Sequence, residues 1–355
     1  MMTDDMLTRG VEQGIITAEQ AGRLRALQRV SEPPELPASP DDEQLRFIGG
    51  FSDIFVTIGL TMFLGAIGYF VLWTGSIVAV WIVVANVAWL LAEFFTRLRR
   101  MALPSIFLLI VFAAAVFLAG AGAFPDAGPY PLSIAGLFGF DTSHPSVLAV
   151  AGFLTVLLTG AHYWRFRVPI TIAAACAALT GTIVGLAYGF VPELSRVAHD
   201  AVILACGLAI FALAMRFDIA DPKRLTRRTD IAFWLHLLAA PLVVRSLIPG
   251  VVGQAPTLSA GSAVAIIVVF LALSLVAVLI DRRAMLVSGL SYFGVAFWTL
   301  IREAGLSDMP IPLTVLTLGA FVLLLSAGWQ PLRAGILSMV PSALTRRLPQ
   351  AGLAA

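Results

Sequence analysis

Ten apolar runs constrain what this chain can fold into. They lie at residues 54–73, 77–95, 103–122, 147–164, 168–190, 198–215, 231–247, 263–280, 285–301 and 311–326. Each is about as long as a helix needs to cross a bilayer core of roughly 30 Å. Lipid offers no partner to a backbone N–H or C=O, so a run of this length satisfies those groups only as a helix. The expected fold class is therefore all-α, a polytopic transmembrane bundle of about ten spans. Composition excludes a water-soluble fold: 59% of residues are hydrophobic and 12% charged, where soluble domains carry about 25% charged residues.

Charge sets the expected orientation. The connection between the sixth and seventh runs, residues 216–230, holds Arg216, Lys223, Arg224, Arg227 and Arg228. With the N-terminus inside, the other inward connections hold Arg97, Arg99 and Arg100, then Arg165 and Arg167, then Arg282 and Arg283. The head and the tail carry the remainder. Of the 23 basic residues, only Arg196, Arg245 and Arg302 fall elsewhere. Cytoplasmic loops retain Arg and Lys, so both termini are expected on the cytoplasmic side. A miscounted span would invert every later loop and destroy the alternation. Trp73, Tyr163, Trp164, Trp234 and Trp329, near the ends of runs, are expected at the interfaces. The net charge of +2 is too small to argue for nucleic acid; the partner that composition implies is the lipid bilayer.

The polar ends flank this bundle. Residues 1–30 read as a small helical hairpin, with helices over 4–13 and 18–30. Gly14 suits the end of the first, and Thr17 with Gln20 makes a capping box for the second. So small a unit lacks a stable core of its own and is expected to dock, which makes it a candidate surface for a protein partner. Residues 31–46 form a Pro-rich linker and juxtamembrane segment, residues 47–328 the ten-span bundle, and residues 329–355 an amphipathic tail. In that tail Leu332, Ile336, Val340, Leu344 and Leu348 recur every fourth residue, as in an interfacial helix. The long Gly- and Pro-rich connection at 123–146 is expected to dip along the membrane surface through residues 132–140.

Ionisable groups within spans are costly and mark candidate sites. Asp200, near the start of the sixth run, and Arg245, near the end of the seventh, lie at similar depth, and are the candidate intramembrane polar pair. Such a pair either fixes helix register or binds a charged group. His199, His236 and Glu93 are lesser candidates. Nine residues at 100° each put His236 and Arg245 on opposite sides of a straight helix, though Pro241 between them is expected to kink it. Asp53, Asp230, Asp281 and His162 sit at run ends and are expected to be solvated there. Ala177, Gly181 and Gly185, four residues apart, form a face for close helix packing. Cys176 and Cys206 fall inside runs and read as small buried hydrophobes. No HExxH, GxSxG, P-loop or EF-hand pattern is present, and the four histidines do not cluster. No cofactor and no metal are expected, and no catalytic residue is assigned.

One resemblance adds to this. The segment Arg-Gly-Val-Glu-Gln-Gly-Ile-Ile-Thr-Ala-Glu-Gln-Ala, Arg9 to Ala21, resembles the head of a family of bacterial multi-pass inner-membrane proteins of unknown activity. Gly49, Gly50, Gly59, Gly65 and Gly68 at the start of the membrane region resemble that family too. The resemblance spans residues 1–120 and implies a cytoplasmic helical head ahead of a many-helix bundle in the bacterial inner membrane. It implies no catalytic residue. The expected role is that of a non-enzymatic scaffold or regulatory membrane component; the alternative is a transporter with a site between the sixth and seventh spans.

Overall fold

A computed structural model describes residues 12–22, 51–124, 145–221, 226–252, 259–305 and 310–339. The chain divides into two compact units, Met1–Leu45 with Gly352–Ala355 and Arg46–Ala351. In the first, Thr17 N donates to Gln20 Oε1 at 2.9 Å and Gln20 N donates to Thr17 Oγ1 at 3.2 Å. This is the reciprocal capping box, and a helix follows over residues 18–22. Most of the expected helix at 4–13, the rest of the second, the linker at 31–46, the surface dip at 132–140, Lys223 and the tail beyond 339 lie outside the described residues.

The second unit is helical throughout, with no strand among the described residues. Its elements are α1 (Phe51–Leu72), α2 (Ile77–Ala92, continued as a π-helical turn over Glu93–Leu98), α3 (Ala102–Gly122), α4 (Pro145–Phe166), α5 (Ile170–Phe190), α6 (Arg196–Ala220), α7 (Arg227–Val252), α8 (Ala260–Leu279), α9 (Ala284–Glu303), α10 (Pro310–Ala327) and α11 (Trp329–Ser338). Each of the ten apolar runs falls on one of α1 to α10. Among the described residues, eight helices, α1 to α8, are long and apolar enough to cross a membrane. The last span-like segment with α11, bent by 68° at their junction, makes a ninth if the pair is one span.

The outside of the unit is apolar, as a lipid-facing surface must be. On α1, Phe55, Met62, Phe63 and Phe70 are all exposed, while Leu60 and Leu64 face inward against Val80, Val84 and Leu108. Several hydroxyl side chains inside the helices bond to their own backbone one turn back, which removes the cost of leaving them bare in hydrocarbon. Thr155 donates to Ala151 O at 2.7 Å, Thr180 to Cys176 O at 2.9 Å and Ser274 to Phe270 O at 2.8 Å.

Sequential hairpins build the bundle. The most extensive contacts join α4 with α5, α6 with α7, α2 with α3, and α8 with α9. All four hairpins turn at the same end, where Arg99, Arg100, Arg165, Arg167, Arg282 and Arg283 lie; we call it the Arg-rich end. Three of the turns place a residue other than glycine at positive φ: Arg100 at 54°, Arg167 at 54° and Asp281 at 57°. Between α4 and α5 the backbones approach through glycines. A Cβ on Gly185 would lie 2.5 Å from Ala149 N, and one on Gly152 would lie 2.6 Å from Thr182 Oγ1. α7 packs against α5, α6, α8 and α9, and its inner residues Leu235, Ala239 and Leu242 join Ile203 and Ile210 in one buried cluster.

Candidate functional site

Three consecutive residues in the α8–α9 turn tie it to its neighbours at the Arg-rich end: Asp281 and Arg283 reach α11, and Arg282 reaches α6. The last turn of α8 closes with Arg282 N on Ala277 O at 2.9 Å and Asp281 N on Val278 O at 3.2 Å. This double bond is the Schellman closure, whose left-handed position usually holds glycine. Here Asp281 occupies it, a short polar side chain that tolerates positive φ better than most. Asp281 Oδ1 accepts from Trp329 Nε1 at 2.8 Å and lies 4.0 Å from Arg333 Nε, which ties the turn to α11. Arg283 lies over the Trp329 ring, 5.1 Å from its centroid.

Between them, Arg282 turns inward beneath the ends of α6 and α7. It is 1% exposed, Asp218 on α6 is 2% exposed, and His236 on α7 is fully buried. Arg282 Nε donates to Asp218 Oδ2 at 3.2 Å, and Arg282 Nη2 donates to Oδ1. His236 Nε2 meets the same Oδ2 at 2.9 Å. A carboxylate only accepts, so Nε2 carries the proton. A buried carboxylate thus holds a two-point arginine fork and an imidazole, with Phe211 packed 5.3 Å from the imidazole ring. Opposite charges cancel within one closed group, which is how ions are accommodated away from water. At the start of α7, Asp221 Oδ2 accepts from Thr226 N, Thr226 Oγ1 and Thr229 Oγ1 at 2.8, 2.6 and 3.0 Å. These bonds fix where α7 starts, and hence the height of His236.

The other candidates fall elsewhere. Asp200 and Arg245 are half-buried and form no ion pair with each other among the described residues. Both act electrostatically on His199, as does Arg196. His199 is buried beside Tyr188, with ring centroids 5.6 Å apart, and its Nδ1 has no hydrogen-bond partner among the described residues. α7 continues as one helix through Pro241, so Arg245 lies about 13 Å beyond His236 at 1.5 Å per residue. The sixth and seventh helices therefore carry two separate polar groups, one near each end.

Glu93 pairs with Arg165 at the Arg-rich end, through Nε to Oε1 at 2.7 Å and Nη2 to Oε2 at 2.9 Å, with Arg97 at 3.4 Å. Asp53, His162 and Asp281, expected to be solvated, are buried instead. His162 is 1% exposed among Trp89, Phe112 and Phe166, with ring centroids 5.6, 5.4 and 4.5 Å away. Trp329, expected at an interface, is likewise buried, because its indole N–H has Asp281 as a partner. Trp73 and Trp164 remain exposed at helix ends. Gly181 and Gly185 are buried on α5, and Ala177 is half-buried.

Sequence reasoning passed over Asp218 and Arg282, placing both in polar connections. One signal was present for Asp218. Ile203, Gly207, Ile210, Ala214 and Asp218 are the buried residues of one face of α6, at helical spacing, so the stripe continues a turn past Met215. Among the described residues no group of His, Cys, Asp and Glu has the arrangement of a metal site. The cluster is suited to holding helices together: each of its ions is neutralised by another group of the chain. No family model, curated protein or solved structure matches the chain.

Proposed function

We propose that the protein is a polytopic component of the bacterial inner membrane, a non-enzymatic scaffold or regulatory subunit that engages a protein partner through its N-terminal head. In this reading the bundle has ten spans, α9 and α10 adding to the eight strongest, and both termini are cytoplasmic. The Arg-rich turns support that orientation, since arginine near span ends is retained on the cytoplasmic side. The observation that carries the reading is the Asp218, His236 and Arg282 group, where deeply buried charges are occupied in joining α6, α7 and the α8–α9 turn. The resemblance of residues 9–21 to the head of a bacterial inner-membrane family points the same way. In the head, the capping box favours an ordered helix, and Ile15 exposes 72% of its surface beside it, an apolar group available to a partner.

The test is co-purification in mild detergent with quantitative mass spectrometry of wild-type protein and of Ile15→Asp in the full-length chain. The expected result is a partner present with wild type and depleted at least tenfold with the variant, at unchanged thermal stability. The same associated proteins in both samples would contradict it. A transporter is the second reading, favoured by the His199, Asp200 and Arg245 group, in which the two charges are not spent on each other and His199 Nδ1 has no hydrogen-bond partner among the described residues. Unchanged co-purification, with specific solute uptake into proteoliposomes that Arg245→Gln abolishes, would favour this reading instead.

A further inference from the structure

The α4–α5 turn and the first turns of α7 enclose a cleft of about 490 Å³ at the Arg-rich end. Two arginines line it, Arg167 from the turn and Arg227 from the start of α7, together with Tyr163, Trp164 and Gly160. Its lining contains no carboxylate. The nearby Arg165 is committed to Glu93, but Arg167 and Arg227 have no carboxylate partner among the described residues. Two like charges lining one cleft repel each other, and an anion between them converts that repulsion into attraction.

The shape of the donors narrows the anion. Guanidinium forks match the oxygens of phosphate, and paired forks bind it better than a point charge does. The position of the cleft narrows it further. Trp164 is 82% exposed at the end of a span-like helix, where an indole sits at headgroup level. Gly160 leaves the wall open: a Cβ there would meet nothing within 4 Å. An acyl chain can therefore run down the outside of α4 while its headgroup enters the cleft. Arg167 also sits at φ 54°, where glycine would be unstrained, so the turn holds an arginine where backbone geometry alone favours glycine.

We propose that this cleft binds a phosphate group between Arg167 and Arg227, supplied by an anionic phospholipid at the membrane surface. The test is the thermal melting of full-length protein in mild detergent, titrated with phosphatidylglycerol, phosphatidylcholine or inorganic phosphate. Phosphatidylglycerol should raise the melting temperature and phosphatidylcholine should not. Arg167→Gly and Arg227→Gln should each weaken the apparent affinity roughly tenfold, the loss of one charge-assisted contact. Arg167→Gly relieves a strained backbone, so its loss of response is not a folding defect. Gly160→Phe, which fills the cleft and leaves both arginines in place, should abolish the response. If inorganic phosphate protects the wild type as well as phosphatidylglycerol does, and the same variants lose that protection, the phosphate site stands with a free anion as its ligand. Equal protection by phosphatidylcholine, or equal protection of the wild type and all three variants, would overturn the proposal.

Discussion

At the scale of single residues, the buried ions are the costliest groups in the molecule and the most sensitive to change. Arg282→Met leaves the buried Asp218 carboxyl without its two-point partner, away from water. Removing one member of a buried pair costs about 3–5 kcal/mol. The same change made together with Asp218→Leu removes both charges at once, so the double variant should recover most of that loss. Unfolding of the detergent-solubilised protein would check this; a double variant as unstable as Arg282→Met would show that the pair does more than neutralise itself. This group was only partly legible in the sequence. His236 stood out as a polar residue within an apolar run. Its partner did not, because Asp218 and Arg282 are 64 residues apart and each sits where a run gives way to a polar turn. Helix length was the missing quantity: α6 extends to Ala220, and the added turn carries Asp218 onto the buried face. Asp200 and Arg245 were paired in the sequence on depth alone. Depth does not fix the direction of a side chain, and no ion pair forms between them.

At the scale of elements, four hairpins supply most of the helix contact, and their closeness depends on small side chains. Without a hydrophobic drive between helices in lipid, close backbone approach is what lets dispersion and weak polar contacts accumulate. Gly185→Val would drive a branched side chain into the backbone of α4 near Ala149, and Gly152→Val would do the same against Thr182. Each should destabilise by about 1–3 kcal/mol, the usual cost of overpacking. Gly160→Ala, on the open side of the same helix, should change stability by less than about 0.5 kcal/mol. Melting temperatures of the three variants check the contrast; a loss at Gly160 equal to that at Gly185 would contradict the packing described here. Four-residue spacing singled out Gly181 and Gly185 on α5, and a Cβ on Gly185 would meet Ala149 N. Their complement on α4, Gly152, was not singled out, because a glycine's role in packing is set by the neighbouring helix.

At the scale of the whole molecule, hydropathy carries nearly all the information. Backbone groups in hydrocarbon have only helical partners, so the ten apolar runs translate directly into ten helices. The turns were legible as charge clusters, but their inward-facing members were not. Arginines that stay in a turn and an arginine that enters the bundle, such as Arg282, look alike in the sequence. The central claim is that the hairpin turns form one Arg-rich face on the cytoplasmic side. It is tested most directly by cysteine accessibility, after Cys176 and Cys206 are replaced by Ala. Arg99→Cys, Arg167→Cys and Arg228→Cys should react with a membrane-impermeant maleimide only once the cytoplasmic face is opened, whereas Thr74→Cys, Glu193→Cys and Ala304→Cys should react from outside in intact cells. Labelling of any member of the first set in intact cells, or protection of the second set, would contradict the account.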